Sequence, residues 1–444
     1  MPTNLNQIET IFILLMENRS FDHMLGYLSM PSLAGAYRSV NDVNGLKEDP
    51  AWLQQFANEW EGHNYWPIPL ASPRIADPPH ERINIQLQMG GPDTSGRFPL
   101  NGFVASASGT SDVMNYQTPV TVPILDFFAR NYRICDRWFS CIPAGTQPNR
   151  LMAMSGHSLI DTNQNVLPNQ LLAYDWLNVH QVRWRVYHQG FFPFFSMMPR
   201  WMPEIATSDK FRPFDRFAID MELEPDDTFP QVIFIEPIYT DAPHAEAEGT
   251  DDHSPSSVYG GQCLMHDVYV AMVRTQHWDH SILIVTYDEH GGFFDHEQPI
   301  QLETAVPDGR YRPFDTSGIR VPAAIVSPFV SDGTVFHGNL DHTSILKFLG
   351  QRFGMGGGYS PEVDKRALVG SVSDALDLLG SPRATAPAPP MLSSIQRQLS
   401  TTPIPLPNSG AMVDAFDKVH REMKANYAYH LATKFPASRV ILGL

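Results

Sequence analysis

Short apolar runs alternate along this chain with longer amphipathic or irregular stretches. The runs at 9–16, 231–235, 281–285 and 321–327 are apolar at successive positions rather than at every second one. That pattern predicts strands covered on both faces, because a half-exposed strand would show a polar residue at each alternate position. Amphipathic segments at 122–132, 261–275 and 343–348 predict crossover helices between them. Strands separated by helices predict the α/β class, with a mostly parallel central sheet flanked by helices on both faces. Segment 41–118 has neither period and is rich in Pro, Gly, Asn and aromatics, which predicts a long irregular insertion over the sheet's mouth. The expected organisation is a main domain at 1–380, a Pro-rich connector at 381–408 and a helical extension at 409–444, its helix running over about 409–433.

Chemistry gathers where the predicted strands end. The run 281–285 leads into Thr286-Tyr287-Asp288-Glu289-His290-Gly291-Gly292-Phe293-Phe294-Asp295-His296, and the first run leads into Glu17-Asn18-Arg19-Ser20-Phe21-Asp22. The carboxyl ends of strands are where open α/β sheets bind ligands. A third segment, Ile142-Pro143-Ala144-Gly145-Thr146-Gln147-Pro148-Asn149-Arg150, places Thr146 just ahead of a Pro suited to a first helical turn. Thr146 is therefore expected to be an N-cap, either as a plain capping hydroxyl or beside backbone N–H groups that welcome a phosphate.

Composition narrows the functions. With 31 basic against 48 acidic residues the net charge is −17, which argues against binding to nucleic acid or anionic lipid through a general positive field. A phosphate-bearing substrate would need a local cation, supplied by a metal ion or by some of the 17 histidines. Cys135, Cys141 and Cys263 match no common zinc spacing and read as ordinary thiols, with a Cys135 to Cys141 bridge as the alternative. No signal-peptide pattern and no apolar run of about 20 residues is present, so the expectation is a soluble, cytoplasmic protein.

Together the three segments resemble the non-specific phospholipase C and acid phosphatase family of phosphoesterases, which belongs to the alkaline phosphatase superfamily by fold. The resemblance runs in order from about residue 9 to 349 and includes Asp251-Asp252-His253-Ser254-Pro255 and Leu340-Asp341-His342-Thr343. It implies a phosphoesterase catalytic domain over 1–380. It further implies one divalent metal ion held by Glu17, Asn18, Asp288 and Glu289, with Thr146 as a nucleophile that also touches the metal. His253 matches the family's Asp-His-Pro segment only in part, since Ser254 intervenes; it and Asp252 are assigned to acid/base work. His80, in Asp77-Pro78-Pro79-His80, is similar to a family His that holds phosphate. Arg150 and His290 are assigned to substrate contact, and His296 with Asp295 to orienting the ligands.

An oxygen-rich ligand set without Cys favours Ca²⁺, with Mg²⁺ or Mn²⁺ as alternatives. The expected activity is phospholipase C-like phosphodiester hydrolysis through a phospho-threonine. Acid phosphatase activity on monoesters and a non-catalytic metal- or ligand-binding protein are the competing readings. A sulfatase is excluded, because those enzymes modify a Cys or Ser where this chain has Thr146. The expected partner is a phosphoester, either a phospholipid headgroup or a soluble compound. The aromatic and Met-rich stretch at 190–202 is read as a lipid-facing patch or, in preference, as a buried insertion closing the core.

Overall fold

The computed structural model describes residues 4–34, 42–70, 72–242, 248–304, 306–392 and 410–435. The expected connector at 381–408 and extension at 409–444 thus fall partly outside the described residues. Among the described residues, eight strands form the central sheet: β1 (Thr10–Met16), β2 (Arg133–Cys135), β3 (Trp184–His188), β4 (Phe211–Pro213), β5 (Val232–Glu236), β6 (Ser281–Tyr287), β7 (Ala323–Val326) and β8 (Thr334–Phe336). Their spatial order is β8-β2-β7-β6-β1-β5-β3-β4. β7 runs against both neighbours and the other pairings are parallel, so the sheet is mostly parallel as expected. The central strands β5 and β6 are buried at every position, the consequence of their unbroken apolar runs.

Helices α1 (Arg82–Met89), α2 (Pro123–Asn131), α3 (Thr146–Ser155), α4 (Phe217–Leu223), α5 (Tyr259–Arg274), α6 (Thr343–Phe353) and α7 (Ala411–Lys434) accompany the sheet. Successive side chains of β1 point to opposite faces. Ile13 and Leu15 share a small cavity with Ala153 and Met154 of α3 and Ile345, Leu346 and Leu349 of α6. On the other face Phe12 meets Phe217 of α4 edge-on, and Met16 lies against Gly261 of α5. Helices therefore cover both faces, as predicted.

The stretch 190–202 is core, not surface. Phe192, Phe194, Phe195, Met197, Met198, Trp201 and Met202 are all buried, with Trp201 edge-on to Tyr174 at 5.2 Å. Burial of that many large apolar groups stabilises the α3 side of the sheet far more than a transient lipid contact would. Cys135 and Cys141 are separate buried thiols. Among the described residues, no helix is long and apolar enough to cross a membrane.

Candidate active site

In-register pairing of β1 with β6 brings Met16 opposite Tyr287, so the two polar segments leave the sheet side by side. The backbone then locks them together. Asn18 N–H donates to Asp288 Oδ1 at 3.1 Å, and Arg19 N–H donates to the Glu289 carbonyl at 3.1 Å. Asn18 adopts φ +60°, a conformation that costs a non-glycine residue about 1–3 kcal/mol and recurs at functional sites. Gly291, at φ +64°, passes so close that a Cβ there would lie 2.1 Å from the Asn18 carbonyl oxygen. Gly291→Ala is accordingly expected to pry the two segments apart and cost at least about 1–3 kcal/mol in stability; an unchanged denaturation midpoint would contradict this close approach.

Thr146 is not the N-cap. Gly145 holds that place, and Thr146 is the first residue of α3, with no capping bond from its hydroxyl. The hydroxyl instead donates to Asn18 Oδ1 at 3.3 Å. A local rule chose the wrong residue because an extended Gly145 precedes the turn, leaving Thr146 with helical geometry and its side chain aimed across the sheet's mouth. Glu17, Asn18, Thr146, Asp288 and Glu289 are all at most 1 % exposed, and Asn18 touches the last three.

This cluster is short of positive charge. The Asn18 amide oxygen faces Glu289 Oε1 at 3.0 Å, Asp288 Oδ1 at 3.2 Å and the Thr146 hydroxyl, while the amide nitrogen faces His253 Nε2 at 2.9 Å and His80 Nε2 at 3.3 Å. Rotating the amide would pair every atom if no ion were bound. A cation at the junction reverses that preference, because it needs the amide oxygen beside the carboxylates. Burial and the neighbouring charges of Glu17 and Glu289 push Asp288 well above the usual carboxylate range despite Arg150 beside it. An amide oxygen turned toward two buried carboxylates fits a hard divalent cation.

Imidazoles line the next side. His253 lies with Nδ1 3.4 Å from Glu17 Oε2 and 3.8 Å from Asp241 Oδ2, and with Nε2 3.2 Å from Asp77 Oδ1. Burial opposes its charge, but Asp77 and Asp241 outweigh burial and raise it well above the ordinary imidazole value. His80 is likewise opposed by burial and raised to about 9 by Glu289 and Asp77. Asp77, His80 and His253 form one compact donor group, and Glu17, Asp251 and His253 another, joined through His253.

Other expected site residues sit elsewhere. Asp252 turns away from the pocket: Oδ2 accepts from Tyr287 OH at 2.5 Å, its carbonyl accepts from Arg19, and burial pushes its carboxyl up to about 7. His290 is buried against Gln88 Oε1 at 2.8 Å and Glu289 Oε2 at 3.2 Å, edge-on to Phe103, so it braces Glu289. His296 pairs with Asp22 and Asn44 and meets the adjoining rings of Trp52 and Phe56 edge-on, in a group with Asp22 and Asp295 that already encloses the Arg320 guanidinium. Arg150 is buried behind Glu17 and Asp288. His342 Nε2 faces the Asp288 carbonyl at 2.7 Å and accepts at Nδ1 from Trp138, a prop beneath the acid. Glu236 accepts from Phe194 N–H and Tyr239 OH.

Sequence reasoning passed over Asp77, Asp241 and Asp251. Two of them carried a signal: Asp77 stands three residues before His80, and Asp251 adjoins the singled-out Asp252. Asp241 carried none.

A model of the Phosphoesterase family matches residues 8–356 of this chain. Non-specific phospholipase C3 of Arabidopsis thaliana is 31% identical over 417 residues, covering 86% of this chain and 75% of the plant protein. Phospholipase C B of Mycobacterium tuberculosis (strain ATCC 25618 / H37Rv) is 28% identical over 412 residues, covering 80% of this chain and 75% of that protein. Among solved structures, a phosphonate monoester hydrolase of Agrobacterium radiobacter aligns with a TM-score of 0.35 at 12% identity, over 60% of this chain and 74% of that one.

Proposed function

Because the chain belongs to the Phosphoesterase family, we propose that this phosphoric ester hydrolase is a phospholipase C-like phosphodiesterase working through a phospho-threonine intermediate. The observation that carries the reading is the Thr146 hydroxyl, buried at the start of α3, free of any capping duty and directed at Asn18 among three carboxylates. Asn18, Thr146, Asp288 and Glu289, with Glu17 behind them, would hold one divalent cation, and the all-oxygen set favours Ca²⁺ over Mg²⁺ or Mn²⁺. When bound, such an ion lowers the pKa of an adjacent hydroxyl and offsets charge on phosphate oxygens.

The chain's own groups carry the steps. Thr146 releases its hydroxyl proton to solvent, and its Oγ1 forms a bond to phosphorus as the P–O bond to the alcohol breaks, an in-line exchange that needs chiefly positioning and charge stabilisation. His80 Nε2 faces the Asn18 amide and supplies an N–H donor to a non-bridging oxygen. His253 Nε2, steadied by Asp77, gives a proton to the departing alcohol. Water, its proton taken by the now neutral His253, then attacks the phosphorus and the P–Oγ1 bond breaks, releasing the phosphorylated headgroup and restoring Thr146 and the protonated His253.

Metal-stripped protein is expected to be inactive, and one of Ca²⁺, Mg²⁺, Mn²⁺ or Zn²⁺ to restore turnover of a chromogenic phosphodiester and of phosphatidylcholine. Faster turnover of the matching monoester would replace diesterase with phosphatase. Tight ion binding without turnover of any ester would leave a ligand-binding protein.

A further inference from the structure

Taking the cation ligands from the reading above, we infer that Arg150 is a positioning residue that acts on the metal through Glu17 and Asp288 and does not touch phosphate. It lies in α3 four residues after Thr146, so one helix carries both the nucleophile and the group that orders the acids around it. Its donors are committed to protein. Nε donates to Asp288 Oδ2 at 3.2 Å, Nη1 to Tyr239 OH at 3.2 Å, and Nη2 to the carbonyls of Leu15 and Met16 at 3.2 and 3.3 Å. Nη2 also lies 3.2 Å from Glu17 Oε1. The rings of Phe194 and Tyr239 flank the guanidinium at 4.8 and 5.1 Å.

This geometry fixes which carboxylate oxygens are turned back. Asp288 Oδ2 and Glu17 Oε1 face the guanidinium, leaving Asp288 Oδ1 toward Asn18 and Glu17 Oε2 toward His253. The same fork holds two carbonyls at the end of β1, so the acids are indexed to the strand from which Asn18 emerges. A planar guanidinium can bond Asp288, Tyr239 and the two carbonyls at once while keeping its charge beside Glu17, and a lysine ammonium cannot. Without it, buried acids of like charge turn away from one another, and the oxygen junction loses its shape. Groups that orient metal ligands from behind typically change metal affinity 10–100-fold when removed.

The test uses Mn²⁺ alone as the probe, its binding to metal-stripped full-length protein read by electron paramagnetic resonance, with far-UV circular dichroism to confirm folding. Arg150→Met is expected to weaken Mn²⁺ binding roughly 10–100-fold, and Arg150→Lys to recover only part of the loss. Wild-type Mn²⁺ affinity in either variant overturns the inference, and if Arg150→Met does not fold, Arg150→Lys decides alone. Mn²⁺ affinity kept but affinity for inorganic phosphate lost would place Arg150 on the substrate and overturn it as well. Wild-type protein that binds Mn²⁺ yet hydrolyses no phosphoester would end the proposed reaction and leave this inference standing. Absence of Mn²⁺ binding in the wild type would end both.

Discussion

Thr146→Ala lowers kcat for the best phosphoester by on the order of 10³-fold or more, with little change in KM, if the hydroxyl is the nucleophile. The loss falls on kcat because the substrate's other contacts remain while the bond-forming atom is gone. Stability should hardly move: Thr146 makes no capping bond, and Ala suits an early helical position. The unfolding midpoint therefore separates a chemical loss from a structural one. Thr146→Ser keeps a hydroxyl and should retain a measurable fraction of turnover. Rapid quenching with ³²P-labelled substrate should trap label on wild-type protein and none on Thr146→Ala. Alanine enzyme that keeps more than about a tenth of wild-type kcat with metal bound would remove Thr146 from the chemistry.

Arg320→Met destabilises the fold by about 3–5 kcal/mol, because it strips the cation from a pair of buried acids. Arg320 is fully buried. Its Nε donates to Asp295 at 3.0 Å and its Nη2 to Asp22 at 2.9 Å, while Nη1 donates to the carbonyls of Asn44 and Asp136 and the guanidinium lies over Phe21 at 4.3 Å. One side chain thus ties the segment after β1, the loop after β6 and the start of the insertion. Burial already pushes Asp295 up to about 6 even with Arg320 beside it. Removing the partner leaves Asp22 and Asp295 facing each other in a dry site. Urea unfolding should show a lower midpoint at an unchanged slope; Arg320→Lys should fall between, since an ammonium keeps the charge but not the fork. A loss under about 1 kcal/mol for the Met variant would mean that the acids find other partners.

The longest strands were legible because an unbroken apolar run is best buried on both faces inside a sheet. The run at 281–285 becomes β6 and extends two residues further, and 9–16 becomes β1. The short strands β2, β3, β4 and β8 were not legible. Arg133, Arg185 and Arg212 break the apolar pattern of the first three; Arg133 and Arg185 find their acids, Asp377 and Glu224, only in the folded chain, and Arg212 pairs with Asp220 as well as with nearby Asp209. Such strands exist because the sheet pairs them, not through a local preference.

The pocket divides in the same way. Motifs at two strand ends marked Glu17, Asn18, Asp288 and Glu289, since parallel strands that end in polar residues must deliver them to a common edge. Nearness in sequence misled at His296, eight residues after Asp288, because the Gly pair sends it to Asp22 and away from the acids. Arg150 looked like a phosphate contact because it follows Thr146 in sequence, whereas the helix turns it against Glu17 and Asp288. Asp77 reaches His253 across 176 positions of chain, a separation that no spacing rule spans.

By itself the sequence determined the α/β class, the principal strands and the oxygen-rich character of their ends, because periodicity and residue chemistry act over a few neighbouring positions. Tertiary structure alone decided which acid faces an imidazole and which faces a guanidinium. Those choices depend on distances and burial between segments hundreds of residues apart, and in a dry pocket one misplaced charge outweighs any local preference.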